Sequence, residues 1–244
     1  MKLSVIIPVY NEESTIAEVV ARVLAVPVDK EVIVVDDGST DRTPDRLRAA
    51  DSRRLTIIRL LENRGKGAAV RAGLERATGA YVLIQDADLE LLPEEFPLLL
   101  EPIEAGRSPV VYGSRFLRGR GETGRWHHLA NRLLTGWANL LYGSALTDVS
   151  TAYKLFPRRL VDRLDLQSRR FEFCAELTAK LRRLGQTITE VPVTYHPRPP
   201  HAGKKLRYFT DGLRAAWTLL RFRFWRPAPA LVPTPCAPPA GPEL

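Results

Sequence analysis

YVLIQDADLE, residues 81–90, joins a short apolar run to a pair of aspartates. Residues 81–84 are aromatic, β-branched or aliphatic, which is typical of a buried strand. Asp86 and Asp88 follow at the end of that strand, where ligands bind in open α/β sheets. Two carboxylates at this place suit a hard divalent cation, although an isolated Asp-Ala-Asp is also common in a solvated turn.

Segments with strand and helix character alternate on both sides of this stretch. Apolar runs at 3–9, 31–35, 55–60, 110–114 and 187–195 predict further strands, with helix patterns near 14–26, 41–50, 68–77, 93–105 and 171–184. This alternation predicts an α/β fold with a Rossmann-like, mainly parallel central sheet and helices on both faces. Amphipathic helices are predicted at 126–142 and 206–225. Residues 147–156 mix short polar and β-branched side chains, and no element is predicted there.

Length and charge limit the classes of protein that this chain can be. A chain of 244 residues suits one large α/β domain or two small ones, and a net charge of +8 indicates an anionic partner. Cys174 and Cys236 form no disulfide framework, so a reducing compartment is expected. No leader peptide is recognised, and no apolar run approaches the roughly 20 residues of a spanning helix. The Pro/Ala-rich residues 227–244 are expected to be disordered.

Three polar loops follow predicted parallel strands and should open onto one crevice. They are residues 8–12, 36–39 and 85–88. A carboxylate in such a loop can bind a ribose hydroxyl or a base edge. No G-x-G-x-x-G follows the first strand, which argues against a Rossmann dehydrogenase. The 65–67 loop also lacks the spacing and the Ser or Thr of a P-loop. Each loop alone could be ordinary turn chemistry, but the three together favour a nucleotide site.

Motifs along most of the chain resemble family 2 glycosyltransferases of the GT-A fold. In the first half they are VIIPVYNEE (5–13), VVDDGSTD (34–41), NRGKGAAVRAG (63–73), QDADLE (85–90) and GSR (113–115). The second half looks most like polyprenyl-phosphate sugar transferases of the dolichyl-phosphate mannosyltransferase type, through TDVSTAYKLF (147–156), FEFCAELTAKLRRLG (171–185), EVPVTYHPR (190–198) and GKKL (203–206). The resemblance implies a single domain over 1–226, with a nucleotide-sugar and metal half at 1–115 and an acceptor half at 116–226.

The same resemblance implies roles for individual residues. The nucleotide-sugar-binding residues would be Pro8, Tyr10, Glu12, Val35, Asp37, Asp86, Ala87, Asp88, Arg115, Arg198 and Lys204. Mg²⁺ or Mn²⁺ would be held by Asp86, Asp88 and Glu90, with Glu90 standing where the mannosyltransferases commonly have Gln. Catalytic roles fall to Asp88, Arg115 and Arg198, because a leaving diphosphate is stabilised by a divalent ion and fixed cations.

The implied activity is inverting, metal-dependent transfer of a hexose, with GDP-mannose as donor, to a polyprenyl (dolichyl or undecaprenyl) phosphate. A family 2 enzyme with UDP-glucose as donor, or with a saccharide, phosphoglycerate or protein acceptor, is the nearest alternative. A nucleotide-sugar sensor is less attractive because the metal ligands are intact. Nucleic-acid binding is disfavoured because the acidic crevice would repel a phosphate backbone.

The helix pattern at 206–225 interleaves arginines with aromatic and aliphatic side chains. Such a helix can lie in an anionic membrane interface, or it can pack on the domain with snorkelling arginines. Our hypothesis is that this helix and the one at 126–142 frame a groove for the lipid acceptor. The expected location is therefore cytoplasmic, peripheral on the inner face of the membrane.

Overall fold

The computed structural model describes residues 2–50, 54–118, 125–198 and 208–227. Lys204 lies outside these ranges, as does the predicted tail apart from Pro227. The fold and the site are therefore built from the four described ranges.

Seven strands and eight α-helices are present in these ranges. The strands are β1 (Leu3–Val9), β2 (Lys30–Asp36), β3 (Leu55–Arg59), β4 (Tyr81–Ile84), β5 (Val110–Ser114), β6 (Lys154–Pro157) and β7 (Ile188–Pro192). The helices are α1 (Ile16–Ala25), α2 (Thr43–Arg48), α3 (Lys66–Leu74), α4 (Phe96–Glu104), α5 (Arg125–Tyr142), α6 (Val161–Leu164), α7 (Phe173–Arg183) and α8 (Tyr208–Phe222). All but β6 and α6 overlap a segment for which the sequence predicts the same type of element.

The strands form one sheet in the order β3-β2-β1-β4-β6-β5-β7. Pairing is parallel from β3 through β2 and β1 to β4, and again between β5 and β7. The predicted mainly parallel α/β sheet is therefore confirmed. Because parallel strands end at the same edge of a sheet, the polar residues that follow β1, β2 and β4 lie along one edge.

Both faces of the sheet are covered, and β1 shows why. Its side chains alternate, so that Leu3, Val5 and Ile7 pack in a cluster with α1 and α4. Ile6 points to the opposite face and packs in a second cluster with α3 and α7. Full burial of each such side chain contributes about 1.5–3 kcal/mol. The predicted helices on both faces are confirmed, and β1 is a rigid support for the residues that follow it.

The strand β6 is the element of the sheet that the sequence did not predict. It runs antiparallel to both of its neighbours, β4 and β5. Its first residue, Lys154, is fully buried; the ammonium donates a hydrogen bond to the Val149 carbonyl at 2.9 Å and lies 3.6 Å from the centroid of the Tyr112 ring. Burial lowers the pKa of Lys154 to about 8. A charged first residue and a length of four residues concealed this strand.

Helices α5 and α8 pack against each other and against α7. Ala138 and Ala215 are buried where these helices meet. The Trp137 indole N–H and the Tyr142 hydroxyl donate hydrogen bonds to backbone carbonyls of α8, at 3.2 Å and 2.6 Å. Through these contacts the two amphipathic helices pack as one unit with α7.

The outer faces of α5 and α8 expose apolar side chains. Leu133 and Leu140 of α5 are 67% and 75% exposed, and Trp217 of α8 is 65% exposed. Among the described residues, no helix combines the length and apolarity needed to cross a bilayer.

Candidate active site

A cavity of about 720 Å³ begins at the sheet edge where β1 and β4 end, and it extends between α5 and α8. It collects most of the residues that the sequence singled out. Those that line it are Pro8, Tyr10, Glu12, Asp86, Ala87, Asp88, Glu90, Arg115 and Arg198. Residues far apart in sequence are therefore brought together at one edge of the sheet.

Two of the residues that were predicted to bind the nucleotide sugar do not line the cavity. Val35 is fully buried in the core of the sheet. Asp37 is 3% exposed, and its carboxylate accepts hydrogen bonds from the backbone N–H groups of Arg64 and Gly65 at 2.8 Å and 2.7 Å. Burial raises the pKa of Asp37 above its ordinary value, while these two hydrogen bonds oppose the shift. Asp37 thus fixes the loop that leads into α3.

That loop delivers Lys66, which the sequence analysis did not assign to the site. The Lys66 ammonium forms an ion pair with the Asp86 carboxylate at 2.5 Å, and it lines the cavity. Burial alone would lower the pKa of Lys66, but the charge of Asp86 raises it above its ordinary value. Gly65 has a φ of 94°, and a Cβ there would lie 2.5 Å from the Arg169 carbonyl oxygen. Only glycine fits this turn, which aims Lys66 at Asp86.

Arg198 joins the segment after β7 to the carboxylates of the cavity. Its guanidinium lies 2.9 Å from the Glu12 carboxylate and 3.6 Å from that of Asp88. Its backbone N–H donates to Glu90 at 3.1 Å, and Glu90 also accepts a hydrogen bond from the Tyr195 hydroxyl at 2.9 Å. Glu90 therefore holds residues 195–198 against the edge of the sheet.

Arg115 follows β5 and is held by a buried partner. Its guanidinium makes a two-pronged ion pair with Asp148, with nitrogen–oxygen distances of 2.6 Å and 2.8 Å. Asp148 is fully buried. The Arg115 side chain lies 5.2 Å from the centroid of the Tyr195 ring and 5.6 Å from that of Phe116. Burial opposes the charge of Arg115, but the Asp148 carboxylate raises its pKa above the ordinary value.

A further acidic residue, Glu190, holds the backbone at Asp148. The Glu190 carboxylate accepts hydrogen bonds from the backbone N–H groups of Thr147 and Asp148 at 2.7 Å and 2.9 Å. Burial raises the pKa of Glu190, while its hydrogen bonds with Thr147 oppose that shift. The position of the Arg115 guanidinium is therefore set by a chain of contacts reaching back to β7.

The other end of the cavity is apolar. Its lining comes from α5, α7, α8 and the segment before α7, and it includes Leu133, Leu134, Trp137, Phe171, Cys174, Leu213 and Ala216. One polar side chain stands out there: Asn131 of α5 is 5% exposed, and neither atom of its amide has a hydrogen-bond partner among the described residues. The cavity thus has a charged end at the sheet and an apolar end between helices.

The oxygen ligands that a hard divalent ion prefers are present at the charged end. Asp86 and Asp88 both line the cavity, but their carboxylates are engaged by Lys66 and Arg198. Nowhere in the described ranges are three or more His, Cys, Asp or Glu side chains grouped closely enough to hold a metal ion. The carboxylate oxygens of Asp86 and Asp88 are the donors that Mg²⁺ or Mn²⁺ prefers, while in this structure the Glu90 carboxylate accepts hydrogen bonds from the Tyr195 hydroxyl and the Arg198 backbone.

Sequence reasoning left Lys66, Asp148 and Tyr195 without roles, although all three lie within the quoted motifs. Lys66 could have been found from its place beside two glycines at the start of a helix. Asp148 precedes a strand instead of following one, so a search for carboxylates after strands passes over it. The apolar lining had a signal in the patterns of the helices α5 and α8.

Comparison with known proteins gives a family and several relatives. Residues 4–165 match the model of the family described as glycosyl transferase family 2. A low-salt glycan biosynthesis hexosyltransferase of Haloferax volcanii is 35% identical over 90% of this chain, which spans about half (52%) of that relative's length. An undecaprenyl-phosphate mannosyltransferase of Micrococcus luteus is 33% identical over 91% of this chain and 99% of its own. A polyprenol monophosphomannose synthase of Mycolicibacterium smegmatis is 32% identical, with 80% and 77% covered.

Solved structures of glycosyltransferases share this fold. Glucosyl-3-phosphoglycerate synthase of Mycobacterium tuberculosis, in complex with uridine diphosphate, superposes with a TM-score of 0.71 at 25% identity, covering 91% of this chain and 80% of that one. The same enzyme in complex with Mn²⁺, UDP-glucose and phosphoglyceric acid has a TM-score of 0.71 at 24% identity, over 91% of this chain and 79% of that one. The family match, the relatives and the sheet agree: the chain belongs to glycosyl transferase family 2 and is a glycosyltransferase of the GT-A fold.

Proposed function

We propose that this glycosyltransferase transfers a hexose from a nucleotide sugar to a polyprenyl phosphate, with mannose from GDP-mannose as the first donor to test. The observation that carries the proposal is the single cavity with a charged end and an apolar end. A nucleoside diphosphate suits the charged end and an isoprenoid chain suits the apolar end. The names of the Micrococcus and Mycolicibacterium relatives support the same acceptor class.

The donor would lie at the carboxyl ends of β1 and β4. Pro8, Tyr10 and Glu12 follow β1 and line this end, so they are placed for the base and ribose. Asp37 was expected to bind the nucleotide. Its role would instead be indirect, because its carboxylate holds the loop that carries Lys66. Val35 would support the base site from the core.

Asp86 and Asp88 would hold Mg²⁺ or Mn²⁺, with Glu90 as a third carboxylate. When bound, the ion supplies positive charge that stabilises the departing diphosphate. Lys66 and Arg198 neutralise Asp86 and Asp88 in this structure. We expect both cations to pair with donor phosphates once the donor is present.

Transfer would be a single displacement at the anomeric carbon. An oxygen of the acceptor phosphate forms a bond to that carbon while the bond from the carbon to the diphosphate oxygen breaks. The electron pair of the broken bond stays on the nucleoside diphosphate, next to the fixed cations. Attack on the face opposite the leaving group inverts the configuration. The acceptor phosphate is already an anion near neutral pH, so Asp88 is needed as a base only for a residual proton.

Arg115 lines the cavity, and we assign it to a substrate phosphate. Its guanidinium is a fork that matches phosphate oxygens, and Asp148 and Tyr195 fix its orientation. Leu134, Trp137 and other apolar side chains of the helices line the same cavity. The acceptor phosphate would therefore meet Arg115 or Arg198, with its isoprenoid chain lying between α5 and α8.

A polyprenyl phosphate is a membrane lipid, so the apolar end should face a bilayer. Leu133 and Leu213 line the cavity and are also 67% and 58% exposed. Exposed apolar side chains beside arginines are typical of helices that lie in a membrane interface. We propose a peripheral location on the cytoplasmic face.

A second candidate is transfer from UDP-glucose to a small phosphorylated acceptor. The likeness to glucosyl-3-phosphoglycerate synthase in complex with uridine diphosphate favours it. The cations of the charged end suit either acceptor, but a small polar acceptor leaves the apolar end of the cavity unused. The lipid acceptor accounts for both ends.

The test is a transfer assay over a matrix of substrates. GDP-mannose and UDP-glucose are each combined with a polyprenyl phosphate or 3-phosphoglycerate, in Mg²⁺, Mn²⁺ or a chelator. We expect metal-dependent product with GDP-mannose and the polyprenyl phosphate. Product formed only with 3-phosphoglycerate would overturn the proposed polyprenyl phosphate acceptor. Full activity in the chelator would overturn the proposed role of the metal.

A further inference from the structure

A second groove, of about 470 Å³, lies along α8 and the segment before α7. It shares no lining residue with the catalytic cavity. We call it the arginine groove. Its lining is Gln167, Ser168, Arg169, Arg170, Glu172, Arg214, Trp217, Thr218, Arg221 and Phe222.

The arginine groove is basic on both sides. Exposed Arg169 and Arg170 form one wall and exposed Arg214 and Arg221 the other, while Glu172 is the one acidic residue of the lining. In the catalytic cavity, by contrast, the basic side chains are paired with carboxylates. Several guanidinium groups around one space attract a phosphate group and can hydrogen-bond to it.

The surroundings of the groove favour a lipid over a free anion. Trp217 lines the groove and is 65% exposed; Leu213 on the same helix is 58% exposed, and Phe224 just after the helix is 78% exposed. A soluble phosphate gains nothing from these apolar groups. A bilayer accommodates them all, because tryptophan favours the headgroup level and arginines bind anionic lipids there.

We propose that the arginine groove binds the anionic headgroup of a bilayer phospholipid, at a site separate from that of the acceptor. The proposal deepens the membrane location given above and rests on it. Neighbouring residues divide between the two sites: Phe171 lines the cavity while Arg170 lines the groove, and Leu213 lines the cavity while Arg214 lines the groove. A headgroup in the groove therefore holds the apolar end of the cavity against the bilayer.

The test is vesicle co-sedimentation of the full chain. Wild type is compared with Arg214→Gln/Arg221→Gln, which removes both arginines of the wall that α8 forms. The control is Arg46→Gln/Arg76→Gln, which removes the same charge from exposed positions outside the groove. Vesicles contain phosphatidylglycerol in phosphatidylcholine, or phosphatidylcholine alone. Each groove arginine lost should weaken binding to anionic vesicles about fivefold, so the double variant should bind about 25-fold more weakly.

Three results would overturn the proposal: equal binding of the groove variant and the control, equal binding to neutral vesicles, or no binding by wild type. Sugar transfer to a detergent-solubilised polyprenyl phosphate separates this proposal from the proposed function. The groove variant should retain that transfer within about twofold, because the groove is not part of the cavity. Loss of vesicle binding with retained transfer is the expected pattern.

Discussion

The two ends of the catalytic cavity are built on different principles. At the sheet end, Asp86 and Asp88 are balanced by Lys66 and Arg198 in contact with them. At the helix end the lining is mostly apolar, and the amide of Asn131 lacks a partner among the described residues. The sheet end is neutralised from within, whereas the helix end offers apolar surface and one unsatisfied amide.

This difference indicates what each substrate must do on binding. A nucleotide sugar at the sheet end must compete for cations that already have partners. Its binding free energy is therefore the difference between the ion pairs that its phosphates form and the ion pairs within the protein that they replace. An acceptor at the helix end gains by covering apolar surface. Substitutions at the two ends should therefore have different signatures in catalysis and in stability.

The largest effect is expected for Asp88→Asn. The change removes a carboxylate proposed to hold the metal and releases one partner of Arg198. Transfer should fall about 10³-fold, because charge stabilisation of the leaving group is lost. The assay is turnover with GDP-mannose and a polyprenyl phosphate. Asp162→Asn, at an 85% exposed side chain, is the matched control, and near-wild-type turnover of Asp88→Asn would refute the role.

Arg115→Gln should have the largest effect on stability. It leaves Asp148 fully buried without its charged partner, and breaking such a pair costs about 3–5 kcal/mol in the free energy of unfolding. Urea unfolding measures the loss. Arg48→Gln breaks the exposed pair with Asp45 and should cost less than about 1 kcal/mol. Similar losses for both variants would show that Asp148 does not depend on Arg115.

Lys66→Gln should separate metal binding from transfer. Without its ammonium, Asp86 is free for a divalent ion, so Mn²⁺ should bind about tenfold more tightly in the absence of nucleotide, equivalent to about 1.4 kcal/mol. Titration calorimetry reports this affinity. Transfer should fall, because a cation proposed for the donor phosphates is gone. Lys2→Gln, which breaks the partly exposed pair with Glu31, is the control. Unchanged Mn²⁺ affinity in Lys66→Gln would contradict the competition.

The smallest effect is expected at the helix end. Asn131→Leu removes a buried amide without a partner and should raise the free energy of unfolding by about 1 kcal/mol. Asn139→Leu on the same helix should destabilise, because the Asn139 amide has partners at Leu146 and Ser144. A stability loss in Asn131→Leu would remove this distinction.

The order of elements was predictable because the strands of a parallel sheet are buried on both faces and form continuous apolar runs. Leu3–Val9 and Lys30–Asp36 are of this kind, and both strands were predicted nearly to the residue. β6 was missed because its Lys154 is charged, although this side chain is fully buried beside the Val149 carbonyl and the Tyr112 ring. A pattern of hydrophobicity cannot register a lysine that is satisfied by tertiary contacts.

The charged end of the cavity was more predictable than its ion pairs. Carboxylates after strands lie at one edge by topology alone, so Glu12, Asp86 and Asp88 could be placed together from the sequence. The pairing of Lys66 with Asp86 depends on the packing of the 65–67 turn against residue 169, which is a long-range contact. No local sequence pattern records such a contact. For the same reason, the hydrogen bonds between Asp37 and the backbone of the 64–65 loop were not predicted.

The place of β6 in the sheet has a consequence for protein engineering. β6 belongs to the second half of the chain, yet it lies between β4 and β5 of the first half. A chimera that joins residues 1–115 to the second half of a relative would replace an internal strand, and with it the segment that presents Asp148 to Arg115. Successful recombination would therefore keep β4, β5, β6 and residues 147–153 from one parent and exchange only α5 and α8.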